Sequence, residues 1–327
     1  MDLFLCPSPG TTLAPDSGSP GPRAQEWIDL SGPDAGDFLQ RLTTVNAGGL
    51  LPGQGAPGFF LTAQGKIRAV FRLWRYGAEN YGFEVDCSPL PAGGTWKQRL
   101  LETIDQFTFA EKMVLTEVSE LRCAWLFGDF MPEGEAGTTL AIDDEIRLCF
   151  QGTRDFGRRW ITAWGRETRL RQWLENSLGL PGTSVSWEEL ERWRIEALRA
   201  GIPAEITPEV SPLEIGWTDG IASNKGCYPG QEVIERIISL GAPARRLTLI
   251  EGAGPAPRPG AALFNLAEPP VQVGTITSAG PAPTQGAFRA LALVQKLHAK
   301  ENLPVRVETQ TGDAASTAQI QQVAPFA

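Results

Sequence analysis

From Arg246 onward the chain is cut into short β-rich runs: Arg246 to Ile250, Ala261 to Phe264, Val271 to Thr277, Phe288 to Val294 and Val305 to Thr309. Gly/Pro-rich turns divide them, notably Gly252-Ala253-Gly254-Pro255-Ala256-Pro257 and Gly280-Pro281-Ala282-Pro283. Regularly spaced short strands of this kind predict a small β-barrel, with a domain boundary near Ala244.

Upstream the texture is mixed. Phe38, Leu39 and Leu42 form an apolar helical stripe within Pro33 to Thr43, and Pro33 suits a first helical turn. Strand patterns come next over Gly58 to Thr62, Ile67 to Trp74 and Tyr81 to Val85, with Ala63 to Lys66 as a turn. Thr95 to Phe107 reads as an amphipathic helix. Further strands are expected at Val114 to Val118, Arg122 to Phe127, Glu145 to Phe150 and Arg159 to Ala163, then a helix over Glu167 to Leu178. Ser186-Trp187-Glu188-Glu189 fits a capping box that opens a helix running to Arg199. Three prolines make Pro203 to Pro212 a loop. The expected class is α+β. The first two dozen residues, rich in Pro, Gly, Ser and Thr, read as a flexible tail. The expected division is therefore a tail at 1–24, a body at 25–243 and a barrel at 244–327.

Composition narrows the function classes. A net charge of -9 disfavours direct nucleic-acid binding, which a basic surface normally drives. No apolar run approaches the ~20 residues that a membrane span needs, and no secretory signal opens the chain. The five cysteines (Cys6, Cys87, Cys123, Cys149 and Cys227) are odd in number, scattered and without a C-x-x-C pair. That excludes a disulfide framework and a stable all-protein metal site as expectations, and fits a reducing cytoplasm. The single histidine, His298, lies among charged and polar residues. Acid–base chemistry here must then use carboxylates, Cys, Lys or Tyr. Phosphate-loop, nucleophile-elbow and H-E-x-x-H patterns are absent.

Chemistry concentrates in Asn224-Lys225-Gly226-Cys227-Tyr228-Pro229-Gly230-Gln231-Glu232-Val233-Ile234-Glu235-Arg236. The first half reads as a tight loop. The second reads as a helix from Gln231 to Leu240, with Val233, Ile234, Ile237 and Ile238 at core-facing spacing and Gly241 as its stop. Cys227 then stands just ahead of a helix N-terminus and beside Lys225, two features that favour a thiolate. It is either a reactive thiol or a small buried cysteine. Tyr228 either stacks on a flat ligand or covers the core. Gln231 and Glu232 cap the helix or bond a ligand, and Glu232 and Arg236 stand at i, i+4.

Lys225-Gly226-Cys227-Tyr228, then Gly230-Gln231-Glu232 and Arg236, resembles the K-G-C-Y/F-x-G-Q-E-x-x-x-R signature of the YgfZ family, relatives of the folate-dependent glycine cleavage T protein. Ile28-Asp29-Leu30-Ser31-Gly32-Pro33-Asp34-Ala35 with Phe38-Leu39-Gln40 is similar to the family's opening motif, and Gly274-Thr275-Ile276-Thr277-Ser278 to its V-G-x-V-T-S barrel strand. The resemblance covers roughly residues 27 to 327. It implies a pseudo-symmetric body of two intertwined domains around a central folate-binding hole, plus a C-terminal β-barrel. It implies tetrahydrofolate as cofactor, iron–sulfur assembly or client proteins as partners, and a role in iron–sulfur assembly or repair, tRNA-modifying enzymes included. Cys227 would be the reactive residue, with Lys225, Tyr228, Gln231, Glu232, Glu196 and Arg236 around the ligand.

The chain departs from the T protein in two places. Where that protein has a catalytic aspartate in a G-x-I-D-D segment, this chain has Gly65-Lys66-Ile67-Arg68-Ala69-Val70. An arginine cannot accept a proton as an aspartate does. Folate-dependent aminomethyl or methyl transfer is accordingly the alternative function rather than the first, and enzymatic status stays open. The R-I/L-E-A-G segment of folate-contacting relatives appears here as Arg194-Ile195-Glu196-Ala197-Leu198-Arg199-Ala200-Gly201. Alignment on the arginine puts Glu196 at the acidic position, and alignment on the glycine puts Arg199 there. A carboxylate can grip the N–H edge of a pterin, which favours Glu196.

Overall fold

The computed structural model describes residues 2–6, 24–128, 133–152, 155–178, 183–282, 284, 286–308 and 316–326. Two compact units are built from interleaved stretches of chain. The first takes Met1–Arg154, Arg158–Trp187 and Asp219–Gln231, and the second takes Asp155–Gly157, Glu188–Thr218 and Glu232–Ala327.

In the first unit, strand β1 (Asp2–Leu5) and β2 (Gln25–Ser31) precede helix α1 (Ala35–Leu42). Then come β3 (Gln54–Leu61), β4 (Ile67–Arg75) and β5 (Asn80–Asp86), helix α2 (Trp96–Phe107) and β6 (Val114–Glu117). Strands β7 (Leu121–Phe127), β8 (Thr139–Ala141), β9 (Arg147–Gly152) and β10 (Trp160–Arg166) lead to helix α3 (Glu167–Leu178) and the short β11 (Thr183–Ser184). Two sheets result, ordered β3-β4-β5-β2-β6 and β11-β1-β7-β10-β9-β8. β4 buries Ile67, Ala69, Phe71 and Leu73, the alternation that predicted the strand. α2 starts where its sequence says it should. The Thr95 hydroxyl accepts the Gln98 N–H at 3.1 Å, and the Gln98 side chain accepts the Thr95 N–H at 3.0 Å.

The two sheets are tied by a buried carboxylate. Glu84 on β5 accepts from Gln151 Nε2 at 2.9 Å, from Trp164 Nε1 at 2.5 Å and from the Thr162 hydroxyl. Trp27 and Trp164 meet edge to face beside it, 5.3 Å between centroids. Asp2–Leu5 form a strand against β7 rather than part of a tail. The Pro/Gly/Ser composition begins only at Pro7, so the apolar opening is lost in an average over two dozen residues. Residues 7–23 of the expected tail lie outside the described residues.

In the second unit, helix α4 (Trp187–Glu196) contributes all but its first residue, and helix α5 (Gln231–Ser239) likewise. Six strands complete it: β12 (Arg245–Ala253), β13 (Ala262–Phe264), β14 (Gln272–Pro281), β15 (Ala287–Gln295), β16 (Pro304–Val307) and β17 (Ser316–Val323). They close into a barrel in the order β12-β15-β14-β13-β16-β17 around Ile250, Leu263, Val273, Ile276, Phe288 and Ile320. Closure leaves the barrel no free sheet edge. The expected α+β class with a C-terminal barrel is what the chain forms.

α4 stops earlier than its predicted end at Arg199. Leu198 adopts φ 52°, its N–H donates to the Ile195 carbonyl, and the Arg199 N–H reaches back to the Arg194 carbonyl at 3.0 Å. This is a Schellman-type termination with a leucine where glycine is usual. The three residues Leu198, Arg199 and Ala200 that separate Ala197 from Gly201 thus serve to end the helix.

Candidate functional site

The Asp219–Gln231 stretch returns to the first unit and is fastened to it at several points. Thr44 Oγ1 donates to the Gly220 carbonyl at 2.5 Å, and the Ala222 N–H donates to the Thr44 carbonyl at 3.0 Å. Lys225 then reaches into the protein. Its Nζ donates to the Val45 carbonyl at 2.7 Å and to the Thr43 carbonyl, and lies 5.2 Å from the centroid of the Tyr228 ring. Burial pushes the Lys225 ammonium down to about 8. Tyr228 itself is buried, so its ring packs under the loop.

Gly230 closes the loop. It has φ +82°, and a Cβ there would stand 2.5 Å from the Thr62 carbonyl oxygen and 3.2 Å from Gly65 backbone atoms. Only glycine allows both that backbone and that approach. Thr62 and Gly65 belong to the β3–β4 turn, held by Gly65 N–H to Thr62 O and Thr62 N–H to Lys66 O, each 2.9 Å. Two sequence features singled out separately, the Gly65-Lys66 turn and the cysteine loop, are therefore in contact. The Gln231 N–H then donates to the Tyr228 carbonyl at 3.2 Å as α5 begins.

Between these anchors Cys227 is an exposed free thiol. Among the described residues, and apart from its two chain neighbours, nothing lies within 4 Å of where a Cβ on Gly226 would be. The loop thus holds its backbone firmly and leaves the sulfur open. Gln231 is half-buried, and Glu232 and Arg236 are exposed on α5. Of the four apolar positions expected to face a core, only Ile234 is buried; Ile238 is 38% exposed. Ile234 and Ile238 stand one turn apart on the same face of this nine-residue helix, so cover on that face ends before its last turn.

Arg68, at the place of the T protein's aspartate, is folded onto α2. Its Nε donates to Thr103 Oγ1 at 3.1 Å, its Nη2 to Gln106 Oε1, and its guanidinium lies 5.2 Å from the Phe107 ring centroid. Its donors serve packing, and it supplies no acceptor for a proton.

In the second unit, the residues of the Arg-Ile-Glu-Ala segment divide their labour. Arg194 is buried and bonds Glu191 through Nε (3.0 Å) and Nη2 (2.5 Å), and Glu205 and the Arg199 carbonyl through Nη1 (2.9 and 2.7 Å). Burial opposes its charge, but Glu191 and Glu205 outweigh that and raise its pKa. Ser278 of the barrel motif accepts from Arg194 at 2.9 Å and donates to Glu205 at 2.6 Å. Arg199 is spent on Asp155 (2.8 Å) and on the Trp217 ring, 4.5 Å away. Glu196 is half-buried, with Oε1 3.5 Å from Arg192 and 3.7 Å from Arg289. The fully buried Glu205 escapes pattern reading, because a carboxylate inside a proline-rich loop carries no periodicity. Among the described residues, no group of three or more His, Cys, Asp and Glu side chains is placed to hold a metal.

The fold matches that of a solved aminomethyltransferase. The crystal structure of glycine cleavage system aminomethyltransferase T from Bartonella henselae matches with a TM-score of 0.80 and 17% identity, over 100% of this chain and 86% of that one. In sequence, the chain is 26% identical over 248 residues to the tRNA-modifying protein YgfZ of Photobacterium profundum, covering 69% of this chain and 68% of that protein. It is 26% identical over 256 residues to a candidate transferase of the Arabidopsis thaliana chloroplast, covering 72% of this chain but only 56% of that protein. No protein-family profile matches. The chain is thus similar in sequence to a YgfZ protein and in fold to an aminomethyltransferase.

Proposed function

We propose that this protein is a folate-binding, YgfZ-like accessory factor that supports iron–sulfur cluster assembly or repair, including for enzymes of tRNA modification, with Cys227 as its reactive group. The observation that carries this reading is the exposed Cys227 thiol on a loop pinned at Lys225 and Gly230. A held backbone with an open sulfur suits a nucleophile or a transient iron ligand. A stable cluster takes four thiolates, so one cysteine assists or transfers rather than stores. Aminomethyl transfer is the weaker reading, because Arg68 stands where a carboxylate is needed and is committed to α2.

Tetrahydrofolate, when bound, carries one-carbon units. Glu196 fits the role of gripping its pterin edge: among the described residues its ion pairs use Oε1, at long distances, which leaves the second oxygen room for an N–H donor. Arg199, the alternative at that place, has its guanidinium occupied. Gln231, Glu232 and Arg236 supply further polar contacts, whereas Lys225 and Tyr228 shape the loop from beneath. The test is complementation in cells lacking the protein. Wild type should restore the activity of iron–sulfur enzymes, and Cys227→Ala, folded and expressed equally, should not. Full restoration by Cys227→Ala would sink the reactive-thiol reading.

A further inference from the structure

Two other cysteines face each other across a strand pair that the function above does not use. β1 pairs antiparallel with β7, Leu5 lying opposite Ala124, and the register continues one residue further, where the Cys6 N–H donates to the Cys123 carbonyl at 3.2 Å. Directly opposite residues in such a pair put their side chains on the same face, with Cα atoms ~5.5 Å apart and Cβ atoms ~4.5–5.5 Å apart. Disulfides form at Cα separations of ~4.4–6.8 Å, so closing the pair needs only a small shift of the strands. The two side chains are also within hydrogen-bonding reach of each other, and burial pushes the Cys123 thiol well up. Cys6 is half-buried and Cys123 buried, which gives one accessible and one resolving thiol.

We infer that Cys6 and Cys123 are a thiol–disulfide modification site, which oxidation by a low-molecular-weight disulfide such as glutathione disulfide closes. The Cys6 thiolate attacks one sulfur of glutathione disulfide, forming a mixed disulfide and releasing one glutathione thiolate. The Cys123 sulfur, giving up its proton, then attacks the Cys6 sulfur and releases the second. Two protein thiols lose two electrons, and the oxidant becomes two glutathione thiols carrying the two protons. The bond staples the chain's first strand to the sheet. Its partners lie far apart in sequence, so it constrains the unfolded chain strongly.

The experiment equilibrates the full chain in glutathione buffers of increasing oxidised fraction, blocks free thiols, and maps peptides without reduction. A Cys6–Cys123 cross-linked peptide is expected, with a melting temperature several degrees above the reduced form and reversal by dithiothreitol. Cys6→Ser, chosen because Cys6 is not in the core, should lose both the cross-link and the shift. Glutathione retained on Cys6 with Cys123 still a free thiol, at the most oxidising ratio, overturns the assignment. So does an equal melting shift in Cys6→Ser.

Discussion

Replacing Gly230 by alanine tests whether the cysteine loop is held where the structure has it. The new Cβ would stand 2.5 Å from the Thr62 carbonyl oxygen and 3.2 Å from Gly65, all backbone neighbours that no rotamer change can clear. Alanine at the left-handed φ of +82° costs ~1–2 kcal/mol, offset by ~0.4–1 kcal/mol from the stiffer unfolded chain. Relieving the contact costs a further ~1–3 kcal/mol, as overpacking does. The expected loss is about 1–5 kcal/mol, read as a lower urea midpoint at unchanged m. Because the strain lies beside Cys227, its alkylation rate by iodoacetamide should change as well. A loss below ~0.5 kcal/mol, the size of an ordinary surface change, with an unaltered alkylation rate, would refute the pinned loop.

The buried charges give further outcomes. Arg194→Met leaves Glu191 and Glu205 buried without their shared cation, and should lower unfolding stability by ~3–5 kcal/mol, whereas Arg194→Lys, which keeps the charge but not the fork, should lose less; equal stabilities would contradict the network. Lys225 gives a pH signature. Its folded pKa of about 8 lies below its ordinary 10.5, so between those values the unfolded chain holds a proton the folded chain lacks. Stability of wild type relative to Lys225→Met should therefore rise with pH from about 8 to 10.5, and a flat difference in denaturant titrations would count against a buried amine.

Much of the fold is legible in the chain, for identifiable reasons. Helix α2 announces itself through Thr95 and Gln98, and β4 through the apolar row Ile67, Ala69, Phe71 and Leu73 at every second position, because both signals are local. The barrel is legible from Gly/Pro punctuation, although β17, with Ser316, Gln319, Gln321 and Gln322 among its residues, carries too little apolar pattern to stand out. β1 is hidden by the Pro-, Gly- and Ser-rich residues that begin at Pro7. The early stop of α4 depends on Leu198 taking a left-handed conformation, which leucine rarely signals. At the site, Cys227, Lys225 and Gly230 are marked by their motif. Where Lys225 points is not, because its acceptors, Thr43 and Val45, lie far away in sequence. Glu205 goes unmarked because its importance comes from Arg194 and Ser278, which only the fold brings together.

Folate binding is most directly tested by calorimetry with tetrahydrofolate on wild type, Glu196→Ala and Cys227→Ala. Wild type should bind, Glu196→Ala should bind tenfold or more weakly (~1.4 kcal/mol), and Cys227→Ala should bind like wild type. Absence of binding by the wild-type chain would contradict the folate-binding function proposed for it.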